Sequence, residues 1–415
     1  ESSAPLMSAG LDSLAAAAFV SALASRLSVD LAPTELFDHP TLSSIASYVS
    51  THVAIDDDEI PAVVVPRPGS CVRAAERDQD PAGSRTVLAA WRVQLARSLR
   101  SDAEVRQLTV RMQAANSTIP AVRWSTPTHG VGPSATYGSF ASVDQLCLDR
   151  GSFGISAIEA RSLDPQQRLV LHVAYGALEK SNEHQSQSPP TAFRDALLHA
   201  DVGVCVGVES SGLATGGDEG ASAFSTSGGA LSIASGRLSY TLGLVGPCYS
   251  IATACASALA ALHVCAAAVG ALECESGVTV GTKVLSEAGN YATAAGGMTS
   301  PLGRCHTFDQ RADGYCRGEG CGAFLLIARR SGEDEKRAVA VCVLGSAVQQ
   351  DGPSASLTAP NGSSQKRLIE AVRRAVGGDG GVPSLEAHGT GTALGDPIEV
   401  RVKGQASDVG RLPLA

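Results

Sequence analysis

Thr253-Ala254-Cys255-Ala256-Ser257-Ala258-Leu259 sets a cysteine among small residues, just before the apolar run Leu259-Ala260-Ala261-Leu262. Upstream, Gly243, Gly246 and Pro247 favour a turn or a short extended segment. That order predicts a strand, a tight bend, the cysteine and then a buried helix. A thiol at a helix N-terminus meets the positive end of the dipole and unpaired N–H groups, which favours its thiolate. Small neighbours let the bend close and a substrate approach. Free cysteine is also among the most buried residue types, so a plain core thiol is the competing reading.

Further from Cys255, short apolar runs predict buried strands at Val202–Val208, Val278–Val280, Ala323–Ala328 and Val339–Leu344. Helical patterns alternate with them, at Leu163 through Leu178, Ala258–Val269 and Gln365–Val376. Alternating strands and helices imply a layered α/β domain.

The 415 residues suffice for two or three domains with a large core. Few aromatics (4%) and 44 glycines point to an Ala/Gly-rich α/β fold in which backbones approach closely. A net charge of −9 without a concentrated basic patch argues against nucleic-acid binding. No apolar run reaches membrane-spanning length and no signal peptide opens the chain; Glu1 in place of Met suggests a piece of a longer polypeptide. The 11 cysteines, among them Cys205, Cys265 and Cys342 in apolar surroundings, form no C-x-x-C pair. They read as reduced thiols of a cytosolic or organellar interior, with no metal.

Residues 1–53 form a small helical unit by pattern, short of a first helix. Leu11-Asp12-Ser13-Leu14 opens one helix with Val20, Leu23 and Leu27 on a face. A second follows Asp38-His39-Pro40-Thr41 with Leu42, Ile45 and Val49, capped by Asp38 or Thr41. Residues 54–85, acidic and then proline-bearing, read as a linker. Leu88, Trp91, Leu95 and Leu99 step along one face and predict a connecting helix over 87–112.

A nucleophilic cysteine needs a proton-handling partner, which need not be near in sequence. His39, His172 and His263 sit in ordinary helical surroundings. His388 instead ends the run Leu385-Glu386-Ala387 and enters the turn Gly389-Thr390-Gly391-Thr392, at what reads as a strand end open to a ligand. That turn lacks a third glycine at dinucleotide spacing, and no P-loop occurs, so nucleotide binding is rejected.

Two sets of motifs carry a resemblance. Gly10-Leu11-Asp12-Ser13-Leu14 with Leu36-Phe37-Asp38-His39-Pro40-Thr41-Leu42 is similar to the acyl carrier domain of polyketide synthases. Asp164-Pro165-Gln166-Gln167-Arg168, Gly236-Arg237-Leu238-Ser239-Tyr240, Thr253-Ala254-Cys255, Phe308-Asp309, Ala312-Asp313-Gly314-Tyr315, Arg317-Gly318-Glu319-Gly320, Leu357-Thr358-Ala359-Pro360-Asn361-Gly362 and Glu386-Ala387-His388-Gly389-Thr390-Gly391-Thr392 follow in order. Together they resemble the β-ketoacyl synthase of modular type I polyketide synthases, from about Ile119 to the end, within a ketosynthase domain set at residues 86–415 that departs from the family at its start.

The resemblance implies a thiolase-like fold layered α-β-α-β-α, usually a homodimer, behind the small all-α carrier unit. It implies that Ser13 carries 4′-phosphopantetheine, that Cys255 accepts an acyl chain, and that His388 is the first of two catalytic histidines. Thr390 and Thr392 match threonines that contact the pantetheine arm. The implied reaction is a decarboxylative Claisen condensation with a malonyl-type unit; the implied partners are acyl- and malonyl-carrier thioesters and other modules of the same synthase. The chain departs from the pattern at Ala252 (usually Asp), Ala256 (usually Ser), His306 (usually Lys) and Gln349 (usually Asn). It ends at Ala415, before the family's lysine and second histidine. These residues alone are therefore expected not to condense, and a carrier joined to a non-condensing module that holds acyl carriers is the alternative.

Overall fold

The computed structural model describes residues 13–27, 31, 39, 41–52, 85–95, 115–124, 132–183, 190–213, 224–329, 341–376 and 385–406. They fall into two compact units: Gly83–His306 with Arg311–Val348, and Glu1–Ala82 with Thr307–Gln310 and Gln349–Ala415.

The first unit is built on a mixed six-stranded sheet. Its strands are β1 (Arg85–Leu95), β2 (Val202–Gly207), β3 (Cys248–Ile251), β4 (Ser276–Lys283), β5 (Gly320–Arg329) and β6 (Val341–Val343), in spatial order β3-β2-β4-β5-β1-β6. β2 runs parallel to β3 and β4; β4–β5, β5–β1 and β1–β6 are antiparallel. Every residue of β2 is buried, as an apolar strand covered on both faces requires.

The helices α3 (Pro165–Glu183), α4 (Leu231–Leu242) and α5 (Ser257–Gly270) pack on this sheet. Side chains alternate across a strand, and the two faces differ accordingly. Val204, Val206, Val278, Val280 and Leu325 share one core with α3 residues such as Leu169, Leu171 and Val173. Cys205 and Leu326 join Ala261, Cys265, Ala268 and Val269 of α5 in another. The result is an α-β-α sandwich.

The α5 face explains the glycine-rich composition. A Cβ on Gly207 would lie 2.5 Å from the Ser257 backbone, and one on Gly281 would lie 2.6 Å from the Ala258 Cβ. Glycine on the strands and alanine on the helix let α5 settle almost onto the sheet.

Three expectations are corrected here. Residues 85–95 form strand β1, not part of a helix; residues 96–112 lie outside the described residues. A bulge between Leu88 and Ala90 shifts the pairing with β5, so Val87 and Ala90 are both buried three residues apart. That spacing imitates a helical face. Cys342 is exposed on the edge strand β6, whereas Cys205 and Cys265 are buried as expected. Leu27 and Leu42 are exposed although their helices bury Val20, Ile45 and Val49, since two short helices cannot cover every apolar position.

In the second unit, α1 (Ser13–Leu27) and α2 (Leu42–His52) bury Val20, Leu31, Ile45 and Val49 together. Thr41 caps α2: its Oγ1 accepts from Ser44 N at 3.0 Å and its own N–H donates to Ser44 Oγ. Asp38 lies outside the described residues. Towards the other end of the chain, α6 (Gly362–Val376) and α7 (Gly395–Ala406) pack together beside Ala355 and Ala359. Among the described residues no helix is long and apolar enough to cross a membrane.

Candidate functional site

Cys255 lies where the sequence places it, just past the C-terminal end of parallel strand β3, in a 3-10 turn (Ala254–Ala256) that runs into α5. Ligands of open α/β sheets gather at such strand ends. Ala254 adopts φ +50°, a left-handed conformation that a side chain disfavours. Ser257 holds the bend: its hydroxyl donates to Ala254 O at 2.7 Å and accepts from Thr253 N at 2.8 Å. Ser257 is buried, while Thr253 to Ala256 are exposed. Cys255 is thus presented to solvent by a strained, pinned elbow; it is not a core thiol.

Charged and aromatic side chains stand at and just beyond the strand ends of the same unit. Lys283 pairs with Glu209 at 3.2 Å. Tyr315 is held above the ordinary tyrosine range, first by burial, with Arg317 opposing and the neighbouring Cys255 and Glu209 adding to the rise. Burial lowers the Arg317 pKa, and its Nη1 has no partner among the described residues.

The Asp164–Arg168 motif shapes the same strand ends without touching the thiol. Gln166 donates to Glu209 O at 2.8 Å and accepts from Val284 N at 3.0 Å, which ties the ends of β2 and β4 together. Gln167 accepts from Arg237 Nε at 2.6 Å, and Arg237 also pairs with Glu159 at 2.6 Å, so the Asp164 and Gly236 motifs lock onto one another.

Gly207 sets how close the elbow comes to β2. Alanine at 207 is expected to force α5 off the sheet, at a cost of about 1–3 kcal/mol, because its Cβ meets backbone atoms of Ser257 and Ala258 rather than a yielding side chain. The check is the denaturation midpoint, together with the alkylation rate of Cys255. A variant identical to wild type in both removes that close contact from the account.

His388 belongs to the second unit, and its surroundings are described there. Residues 385–392 form an irregular loop, not the end of a strand. Side-chain carboxylates take the place of a neighbouring strand. Glu399 accepts from His388 N at 2.6 Å and from Gly389 N at 2.8 Å. Buried Asp396, in the first turn of α7, accepts from Gly391 N at 3.0 Å and from Phe308 N at 2.6 Å. Thr307 Oγ1 donates to Gly389 O at 2.7 Å. Gly389 and Gly391 have φ of +51° and +73°, so both glycines are required by the turn. The hydroxyls of Thr390 and Thr392 lie 3.1 Å apart, and Thr392 Oγ1 also accepts from Gly395 N at the start of α7. His388 itself is exposed.

Sequence reasoning did not single out Ser257, Gln166, Asp396 or Glu399 for these tasks. Asp396 and Glu399 follow the His388 turn in sequence, but nothing in their spacing shows that their carboxylates return to its backbone.

Residues 94–331 match the family model of the β-ketoacyl synthase N-terminal domain, more than half of the chain. The chain belongs to the β-ketoacyl synthase family. Residues 340–412 match the C-terminal domain of the same family, and residues 1–49 match the phosphopantetheine attachment site. The ketosynthase chain is 33% identical to the spectinabilin polyketide synthase system protein NorC of Streptomyces orinoci, over 94% of this chain and 17% of that protein. It is 36% identical to the polyketide synthase GfsB of Streptomyces halstedii, over 94% of this chain and 7% of that one. It therefore spans less than a fifth of either relative. Among solved structures, an oxazolomycin ketosynthase domain of Streptomyces albus aligns with a TM-score of 0.68 at 28% identity, covering 78% of this chain and 56% of that one. A ketosynthase from the bacillaene synthase of Bacillus subtilis aligns with a TM-score of 0.66 at 26% identity, covering 77% and 54%. The ketosynthase fold is thiolase-like, as the resemblance implied.

Proposed function

We propose that this chain is the carrier and condensing segment of a polyketide-type synthase, with Cys255 as the acyl acceptor. The observation that carries this reading is the presentation of Cys255 on a strained elbow at the start of α5, inside the region that matches the synthase family. The positive end of the α5 dipole favours negative charge on the sulfur. Cys255 Sγ attacks the carbonyl carbon of a carrier-bound acyl thioester; the new C–S bond forms as the carrier thiol leaves. A neutral His388 donates a hydrogen bond to the oxygen of the enolate formed when a malonyl-type unit loses carbon dioxide. Carbon–carbon bond formation then returns the Cys255 thiolate. The Glu399 and Asp396 carboxylates hold the His388 loop in shape, and Thr390 and Thr392 offer hydroxyls to a pantetheine arm.

Residues 1–53 are read as the carrier, 54–85 as a linker and 86–415 as the ketosynthase. Ser13, the first residue of α1, is the residue assigned to carry phosphopantetheine. The group supplies a thiol on a long arm, which bears acyl chains as thioesters. Partners are acyl- and malonyl-carrier thioesters, further modules and a second ketosynthase copy, within a reducing compartment. The named relatives are polyketide synthases, which favours elongation over a module that merely holds carriers.

Two measurements test the assignments. Incubation with an acyl-pantetheine thioester should leave the acyl group on the peptide containing Cys255; acylation of another cysteine overturns that role. Incubation with a phosphopantetheinyl transferase and coenzyme A should raise the intact mass by one phosphopantetheine, and Ser13→Ala should abolish the gain completely. A Ser13→Ala chain that is still modified refutes the attachment site.

A further inference from the structure

A cavity of about 520 Å³ opens in the first unit, lined in part by Asn116, Arg304, Cys305, His306, Arg311 and Cys316. Two features distinguish it. The first is that its two cysteines are neighbours: the Cys316 backbone N–H donates to Cys305 Sγ at 3.3 Å, while the Cys316 thiol itself donates to Arg317 O at 3.8 Å. A disulfide requires Cβ atoms about 3.8 Å apart. With Cys305 Sγ on the Cys316 amide, closing the pair requires the Cys316 thiol to leave Arg317 O and turn towards it. The backbone at this point is held independently, by Tyr315 N donating to Met298 O and Ser300 N donating to Tyr315 O, both at 3.1 Å.

The second feature is charge. Two guanidinium groups and an imidazole line the cavity, and no Asp or Glu does so among the described residues. His306 faces Asp313 at 3.6 Å, and the two arginines are exposed. Such a cavity attracts a small polyanion through charge-assisted hydrogen bonds. Cys305 is exposed and can be reached by a reagent; Cys316 is half-buried behind it.

We propose that Cys305 and Cys316 form a reversible disulfide, closed by exchange with a small anionic disulfide of the glutathione class that enters this cavity. The Cys305 thiolate attacks one sulfur of that reagent; a mixed disulfide forms and the first small thiolate leaves. The Cys316 thiolate then attacks Cys305 Sγ and expels the second. Two protein thiols are oxidised, one reagent disulfide is reduced, and the two cysteine protons finish on the two released thiols. Burial and the neighbouring Cys305 push Cys316 up to about 11. The closing step is therefore slow near neutrality and quickens about tenfold per pH unit as pH rises towards that value. Transient disulfides of this kind are compatible with a reducing compartment.

The experiment uses the full, pre-reduced chain with glutathione disulfide at graded ratios to glutathione, followed by acid quenching, alkylation and peptide mass mapping. The expected product is one linked peptide pair holding Cys305 and Cys316, reopened by dithiothreitol. Cys316→Ser should accumulate glutathione on Cys305, and Cys305→Ser should leave Cys316 reduced. A wild-type chain that stops at a stable glutathione adduct, links Cys305 to another cysteine, or leaves both thiols unreacted overturns the proposal. The readout is a covalent map, so it is unaffected if Cys255 proves not to accept acyl groups.

Discussion

Replacing Cys255 by alanine is expected to abolish acyl capture while leaving the fold unchanged. The two halves of that expectation come from different observations. The side chain is exposed, so its removal opens no core cavity and costs little stability. The elbow does not depend on the sulfur, because Ser257 pins Thr253 and Ala254 through its own hydroxyl. Chemically the loss is severe: removing the nucleophile of a covalent mechanism costs at least about a thousandfold in rate. Intact-mass analysis after exposure to an acyl thioester, beside a melting curve, reads both quantities. An alanine variant acylated at the wild-type rate ends the nucleophile assignment. Ser257→Ala makes a useful companion, since it leaves the thiol in place and removes only the pin.

Glu319→Ala is expected to be the most destabilising single change in the first unit. The Glu319 carboxylate is fully buried, and Arg123, 9% exposed, meets it with both Nη atoms. The same carboxylate accepts from Ala141 N and Leu285 N, each at 2.8 Å. It thereby joins the strand-like segment at Ser139 to the end of β4. Alanine strands a buried guanidinium and two backbone donors at once, a loss of about 3–5 kcal/mol. Trp124 lies beside this pair, with the Arg123 guanidinium 6.0 Å from its ring, and its fluorescence can follow unfolding in urea. The denaturation midpoint should fall with little change in slope. The paired substitution Arg123→Met with Glu319→Met should recover part of the loss, since no charge is then left buried alone. A cost below about 1 kcal/mol for Glu319→Ala is incompatible with this account.

Much of the fold was legible because its signals are local. Val202–Val208 is apolar throughout, as a strand covered on both faces must be, and it is buried along its length. The alanine-rich run after Cys255 became α5 within a residue of the expected ends. Residues 85–95 misled for an equally local reason. The bulge at Leu88/Ala90 moves the inward positions from every second residue to a three-residue step, which a short window cannot distinguish from one face of a helix. The strand's true partners, β5 and β6, lie more than two hundred residues away in sequence, so pairing could not arbitrate.

The ordered motifs were enough, without coordinates, to assign the family, and they single out Cys255 among 11 cysteines and His388 among 9 histidines as the candidates. Those choices rest on residue type and order along the chain. Only the folded chain decided that Cys255 is exposed on a strained bend, that Cys342 is a surface thiol, and that the Cys316 amide sits on the Cys305 sulfur. It alone also decided that Glu399 and Asp396 serve the backbone of the His388 loop. Each of these depends on which distant segment fills the space beside a side chain. Burial and hydrogen-bond partnership are properties of that neighbourhood, which a one-dimensional pattern does not contain.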